Sequence, residues 1–395
     1  SRPVTIDNFS RRQFLKAGGI GVLGAFASRA QAWSNQDGHF ILFVGTYTSG
    51  ASEGIYGYYE LPESGSLSRF HSCKSVNPSF LAIDPGKKFL YAVNEVSEYE
   101  GKPGGAVSAF ALDHDTTKYS LRLLNQQPTL GADPCYVTVD SKRKNLLVAN
   151  YTGGSVTVLP IRPDGSLGAA TDVKQHEGSG PKEQQKGPHA HCIILDRAER
   201  YALVTDLGAD KIMIYRYDGE RGKLTPNKHP FVQLQAGAGP RHLTFDPTGK
   251  YLYAINELDS TLTSFKYDDD DGKLKHIETV STLPSDFTGV SYCADVHIHG
   301  SGKFLYGSNR GHNSIVVFEI NRGNGKLKLV EHVSTLGDWP RNFAIDPYSF
   351  TLLVANQRSN NVVSFHIDGL TGRLRRVIDV VEEIPSPVCL KFLWP

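Results

Sequence analysis

The chain has 395 residues, and 42 Lys and Arg against 41 Asp and Glu leave a formal net charge of +1. That balance gives no electrostatic footprint for nucleic acid or for an acidic membrane surface. At this length two or three domains would be ordinary, but an internal repeat overrides that expectation.

The first 32 residues stand apart from the repeat. Ser10-Arg11-Arg12-Gln13-Phe14-Leu15-Lys16 reads as a twin-arginine export motif, followed by an apolar Gly/Ala-rich stretch from Ala17 to Ala27 and a small-x-small cleavage signal, Ala30-Gln31-Ala32. The apolar stretch is too short for a stable bilayer anchor. The sequence therefore predicts a 1–32 signal read by the twin-arginine export machinery. It also predicts a 33–395 domain that folds before export and works in the periplasm, with no stable membrane anchor.

From Phe40 onward one pattern recurs. A strand opens on or beside proline, alternates apolar residues down to an Asp, turns, and enters a second strand ending in Asn or Asp. Pro78 to Asp84 leads to Phe89–Asn94, Pro240 to Asp246 leads to Tyr251–Asn256, and Pro340 to Asp346 leads to Leu352–Asn356. Looser copies open at Pro134, Ala190 and Cys293, and a truncated one at Pro387. Openings fall 56, 56, 50, 53, 47 and 47 residues apart, the length of a four-stranded propeller blade. A third strand and a Gly-x-Leu turn complete each copy (Gly65, Gly165, Gly222, Gly272, Gly325 and Gly372), with Tyr119-Ser120-Leu121 replacing the turn once. The reading is all-β: a seven-bladed β-propeller of four-stranded antiparallel blades. Phe40–Gly45 lacks an opening strand and Pro387–Phe392 lacks a second one, so their pairing closes the ring and removes its edges. Cys135, Cys192, Cys293 and Cys389 each sit near a blade opening and are expected to be buried free thiols. The acidic run Asp268–Asp271 reads as a solvated turn.

Each blade meets the same packing problem, so polar residues that differ between blades near the axis call for another explanation. One position after the opening stand Ser79, Cys135, His191, Arg241, Ala294, Arg341 and Val388. One position after the second strand stand Glu95, Tyr151, Leu207, Glu257, Arg310 and Gln357. Antiparallel neighbours place both sets on one face, at the channel mouth. Three arginines outnumber the acids there, and a guanidinium fork suits carboxylate or phosphate. A His and a Glu beside them can transfer protons. His189-Ala-His191 and His297-Ile-His299 could each hold a metal, but they stand at opposite strand parity, so no metal site is expected. Neither a Gly-x-Ser-x-Gly elbow nor a P-loop is present.

The segments Ala238-Gly239-Pro240-Arg241-His242-Leu243, Asn256-Glu257-Leu258, Ala294-Asp295-Val296-His297-Ile298 and Pro340-Arg341-Asn342-Phe343, with Gly187-Pro188-His189-Ala190-His191, carry a resemblance. The chain resembles the seven-bladed propeller lactonases, a family typified by the bacterial propeller-type 6-phosphogluconolactonase and related to the carboxymuconate cyclases. The resemblance implies hydrolysis of a sugar-acid lactone, a small anionic substrate, without metal or organic cofactor. It implies catalytic roles for His191, Arg241, Glu257 and Arg341, with Glu257 or His191 as base. Arg310, Gln357, His242 and His297 would contact substrate. Export points away from a cytoplasmic phosphorylated intermediate and toward unphosphorylated lactones such as gluconolactone. A lactonising cyclase acting on a carboxylated muconate and a non-catalytic exported propeller binding anions or proteins are the alternatives.

Overall fold

Residues 39–61, 64–115 and 118–393 are described by the structure, a computed structural model. The expected export segment, 1–32, lies outside the described residues. Within them the chain forms seven four-stranded antiparallel sheets, as the repeat predicts. The opening strands are Leu81–Ile83, Pro134–Val139, Ala190–Leu195, Pro240–Phe245, Tyr292–Ile298, Pro340–Ile345 and Pro387–Phe392. Phe40–Thr46 pairs with Pro387–Phe392 in the register Leu42 to Phe392 and Val44 to Leu390, which closes the ring.

Burial explains the strand chemistry. Second strands such as Asn145–Asn150 and Tyr251–Asn256 are buried along their whole length, so they read as continuous apolar runs. Outermost strands such as Lys273–Ser281 are mostly exposed or half-buried and carry the charges. The core lies between neighbouring blades: Leu147 and Val158 of one pack with Ile193 and Val204 of the next.

Two repeated residues turn out to serve the frame. The Asp that ends five of the seven opening strands caps its hairpin: the Asp84 carboxylate accepts the backbone N–H groups of Gly86, Lys88 and Phe89 at 2.7–2.9 Å. In the fifth blade His299 stands there instead, with Nδ1 on Ser301 and Nε2 on the Ser349 carbonyl, so it is a turn residue. The Gly-x-Leu turns lock blade to blade. Tyr91, Tyr253 and Tyr306 donate to the carbonyls of Gly165, Gly325 and Gly372. At Gly325, φ is +75° and a Cβ would fall 2.5 Å from the Tyr251 ring, so only glycine fits. All five cysteines are free, four of them buried and Cys73 half-buried.

Candidate active site

Six inner strands lose register near their start. The ladder skips Cys135, His191, Arg241, Arg341 and Val388, and in the fifth blade Ala294 and Asp295 together face Ser308. Such a bulge leaves one residue unpaired and re-aims its side chain. Here the side chains turn to the axis. Ser79, Cys135, His191, Arg241, Arg341 and Val388, with Phe80, His242 and Asn342 from the next position along, line a narrow cavity of about 10 Å³, room for roughly one water. The first ring read from the sequence is therefore a ring of bulges.

The second ring hangs from one repeated hydrogen bond. The backbone N–H groups of Glu95, Tyr151, Leu207, Glu257 and Gln357 donate to the carbonyls just before the openings, at Asn77, Asp133, His189, Gly239 and Trp339. Tyr47 does the same to Ser386, which makes it the seventh member. The sequence concealed it because its second strand ends in Thr46 where other blades have Asn or Asp.

At the mouth the two rings form two ionic centres. In one, Glu257 Oε2 lies 3.0 Å from Arg241 Nε and 2.8 Å from Arg310 Nη2. The Arg241 approach is an ion pair out of hydrogen-bond alignment, since its Nε–H has no acceptor in line. Arg310 also donates to the Cys293 carbonyl and lies over the Trp339 ring at 5.4 Å. In the other centre, Tyr47 donates to Glu95 Oε2 at 2.9 Å, with the Arg341 guanidinium over the Tyr47 ring at 5.2 Å and 3.9 Å from Glu95. Arg341 makes no side-chain hydrogen bond among the described residues.

Burial and charge set the protonation states. Burial alone would raise the Glu257 carboxyl, but Arg310 and then Arg241 more than offset it and hold it below the usual range. Burial, then Arg310 and Arg341, pulls Arg241 down to about 10, so it stays charged at neutral pH. Burial and then Arg241 press His191 well below the ordinary imidazole value. The same two causes take His242 to about 4. Both histidines are therefore neutral in the folded protein. Ser79 Oγ, His191 Nδ1, Arg241 Nε and Gln357 Oε1 are buried without a hydrogen-bond partner among the described residues, and all four belong to the two rings. Orphaned buried polar atoms gathered at one mouth mark where a polar molecule is received.

The fold is that of a known family. A family model described as a seven-bladed β-propeller lactonase matches residues 41–392. The chain belongs to that family. The lactonase is 39% identical to the 6-phosphogluconolactonase of Bacillus subtilis over 90% of its own length and 98% of the relative's. It is 35% identical to that of Formosa agariphila, over 85% and 95%. Its fold matches the solved structure of a periplasmic gluconolactonase of Pseudomonas aeruginosa with a TM-score of 0.85 and 33% identity, covering 90% and 99% of the two chains.

Of the expected site residues, the lactonase brings His191, Arg241, Glu257, Arg310, Arg341 and Gln357 to the mouth. His242 lines the cavity beside them, and His297 is not among its lining residues. His242 lies one tier below Arg241, with Nε2 on Arg241 and Nδ1 on Asp295. His297 lies farther along its strand with Nε2 on Asp295. The two His-x-His pairs do not converge: His189 is stacked on Tyr151, while His299 caps its turn. Among the described residues the metal-compatible cluster is the exposed Asp268, Asp269 and Asp270. Sequence reasoning missed Trp339, whose φ of 68° is costly for a bulky side chain and is held where a sister blade has Gly239. An indole in a glycine position was the available signal.

Acid should destabilise the fold. A histidine whose folded pKa is depressed contributes stability that is full above its unfolded value, about 6.5, and is lost as pH falls toward the folded one. With a folded value of about 4, His242 alone removes roughly 3 kcal/mol between pH 7 and pH 4, and His191 acts in the same sense. Urea unfolding across that range checks this; stability that is flat or rises with acid contradicts it.

Proposed function

We propose that the lactonase hydrolyses an unphosphorylated sugar-acid lactone, such as a gluconolactone, outside the cytoplasm. One observation carries the substrate choice: Arg241 and Arg310 are paired with Glu257 at 3.0 and 2.8 Å, whereas Arg341 stands 3.9 Å from Glu95. Within the two centres three guanidiniums against two carboxylates leave about one positive charge, Arg358 lying outside them over the Trp339 ring. That suits a neutral ester whose carbonyl oxygen becomes anionic better than a phosphate dianion, which calls for two or more uncommitted cations. The periplasmic gluconolactonase among the structural relatives and the export-type N-terminus support the location.

In this reading Arg341 and the outward edge of Arg241 hold the lactone carbonyl oxygen. A water attacks the carbonyl carbon and gives its proton to His191 as the π pair moves onto oxygen. Collapse restores the carbonyl, breaks the ring C–O bond, and returns the proton to the departing alkoxide, leaving a hydroxy acid. Glu257, clamped by two guanidiniums, positions rather than accepts. His191 is depressed partly by Arg241 and Arg341, so oxyanion charge growing on those arginines strengthens it as a base when needed.

Acid release from a panel of δ-lactones, phosphorylated and not, tests the substrate. The expected kcat/KM is at least tenfold higher for the unphosphorylated sugar lactones. A preference for the phosphorylated ones would return the substrate to the one named by the Bacillus relative.

A further inference from the structure

We propose that Asp295 is a positioning residue: through the His242 imidazole it fixes Arg241 in the orientation that serves the reacting carbonyl. This rests on the hydrolytic reading above.

Beneath the mouth a hydrogen-bonded chain runs along the axis. Arg241 Nη1 lies 3.2 Å from His242 Nε2 and donates to the Ala294 carbonyl at 2.6 Å. His242 Nδ1 lies 2.7 Å from Asp295 Oδ1. Asp295 Oδ2 accepts from Asn342 Nδ2 at 2.6 Å and lies 2.9 Å from His297 Nε2. Arg241, His242 and Asp295 are each buried, at 2%, 4% and 3% exposure.

Donor inventory fixes the protons. A guanidinium can only donate, so His242 Nε2 must offer its lone pair. A neutral imidazole then carries its proton on Nδ1 and donates it to Asp295. That carboxylate must be ionised, because Val296 N–H already donates to the same Oδ1 and Asn342 to Oδ2. A carboxylate orienting an imidazole is familiar where the imidazole itself reacts; here the third member is a guanidinium. The Ala294 carbonyl and His242 hold Nη1 from below, and Glu257 attracts Nε from above. Nη2, with no acceptor among the described residues, is left for the substrate.

Asn in place of Asp295 presents an N–H where Oδ1 stood, in one of its two orientations, or a weaker acceptor in the other. The first drives the His242 proton to Nε2, against Arg241 Nη1–H, and pushes the fork away. Arg241 serves the developing oxyanion more than the ground state, so the loss falls on kcat.

The test combines kinetics with histidine tautomers read by long-range ¹H–¹⁵N correlation, His242 being assigned by its disappearance in His242→Gln. In wild type we expect Nδ1–H and a bare Nε2. Asp295→Asn should lower kcat by about 10–100-fold, with KM within about threefold, and move the proton to Nε2 where the amide N–H faces His242. His242→Gln, whose carbonyl can still accept from Arg241, should keep kcat within about tenfold of wild type, whereas His242→Phe should fall like Asp295→Asn. An Nε2–H tautomer in wild type, or an equal loss in Gln and Phe variants, overturns the proposal even if Asp295→Asn fails to fold. So does a folded Asp295→Asn with unchanged kcat. Wild-type protein inactive on every lactone would instead sink the hydrolytic reading, while the tautomer, read without substrate, still reports whether the chain is built as described.

Discussion

Glu257→Gln is expected to lower both stability and turnover, because one carboxylate serves two buried guanidiniums. The side chains of Arg241 and Arg310 are 2% and 5% exposed, and Glu257 is the carboxylate paired with each. Removing one partner of a buried pair while the other charge remains costs about 3–5 kcal/mol. The amide oxygen can still accept from Arg310, so the lower end applies. The thermal midpoint should fall by several degrees, and kcat/KM on the preferred lactone by about 10²–10³-fold as the fork at Arg241 loses its upper restraint. A second consequence separates clamp from base. The substitution raises the mouth from about one net positive charge to two, so any activity on phosphorylated lactones should fall less than that on neutral ones. A base knocked out would depress both alike. An unchanged midpoint together with a uniform kinetic loss would reject the clamp.

The architecture was legible because a propeller writes its packing problem into the chain once per blade. The Asp that caps a hairpin and the glycine carbonyl that receives a neighbour's tyrosine recur for mechanical reasons, and they mark the repeat whose seven openings give the blade number. The same regularity made the mouth legible: once openings were aligned, Arg241, Arg341 and His191 fell at one offset and Glu257, Arg310 and Gln357 at another. What alignment does not reveal is depth. Offset one is a bulge directed to the axis, and offset two, which holds His242, Asp295 and Asn342, forms the tier below. Parity along an ideal strand ignores the bulge, so it does not show that Arg241 and His242, neighbours in sequence, both line the cavity and meet there through Nη1 and Nε2. The fifth blade hid Asp295 further, because its opening is Cys293 rather than proline. Tyr47 was hidden by the ring closure, which splits its blade between the two ends of the chain.

Arg341→Ala should separate activity from stability. This guanidinium touches the mouth without bracing it: a tyrosine ring at 5.2 Å, a carboxylate at 3.9 Å and no side-chain hydrogen bond among the described residues. Glu95 keeps the Tyr47 hydroxyl when Arg341 is gone. The stability change should therefore stay within about 1 kcal/mol, against the several expected at Glu257. Turnover should fall by about 10²–10³-fold, the usual loss when one donor to a developing oxyanion is removed, and guanidinium ions supplied in solution should restore part of it. The pH profile carries a further sign. After burial, Arg241 and His242, the Arg341 charge also lowers His191. A base works unprotonated, so the acid limb of kcat/KM lies at the His191 value, below 6.5 in wild type, and removing Arg341 shifts it toward neutral pH. Variant protein that keeps its turnover would remove Arg341 from the reaction. A large loss with an unmoved acid limb would leave Arg341 as an oxyanion donor and assign the base to a group that Arg341 does not reach.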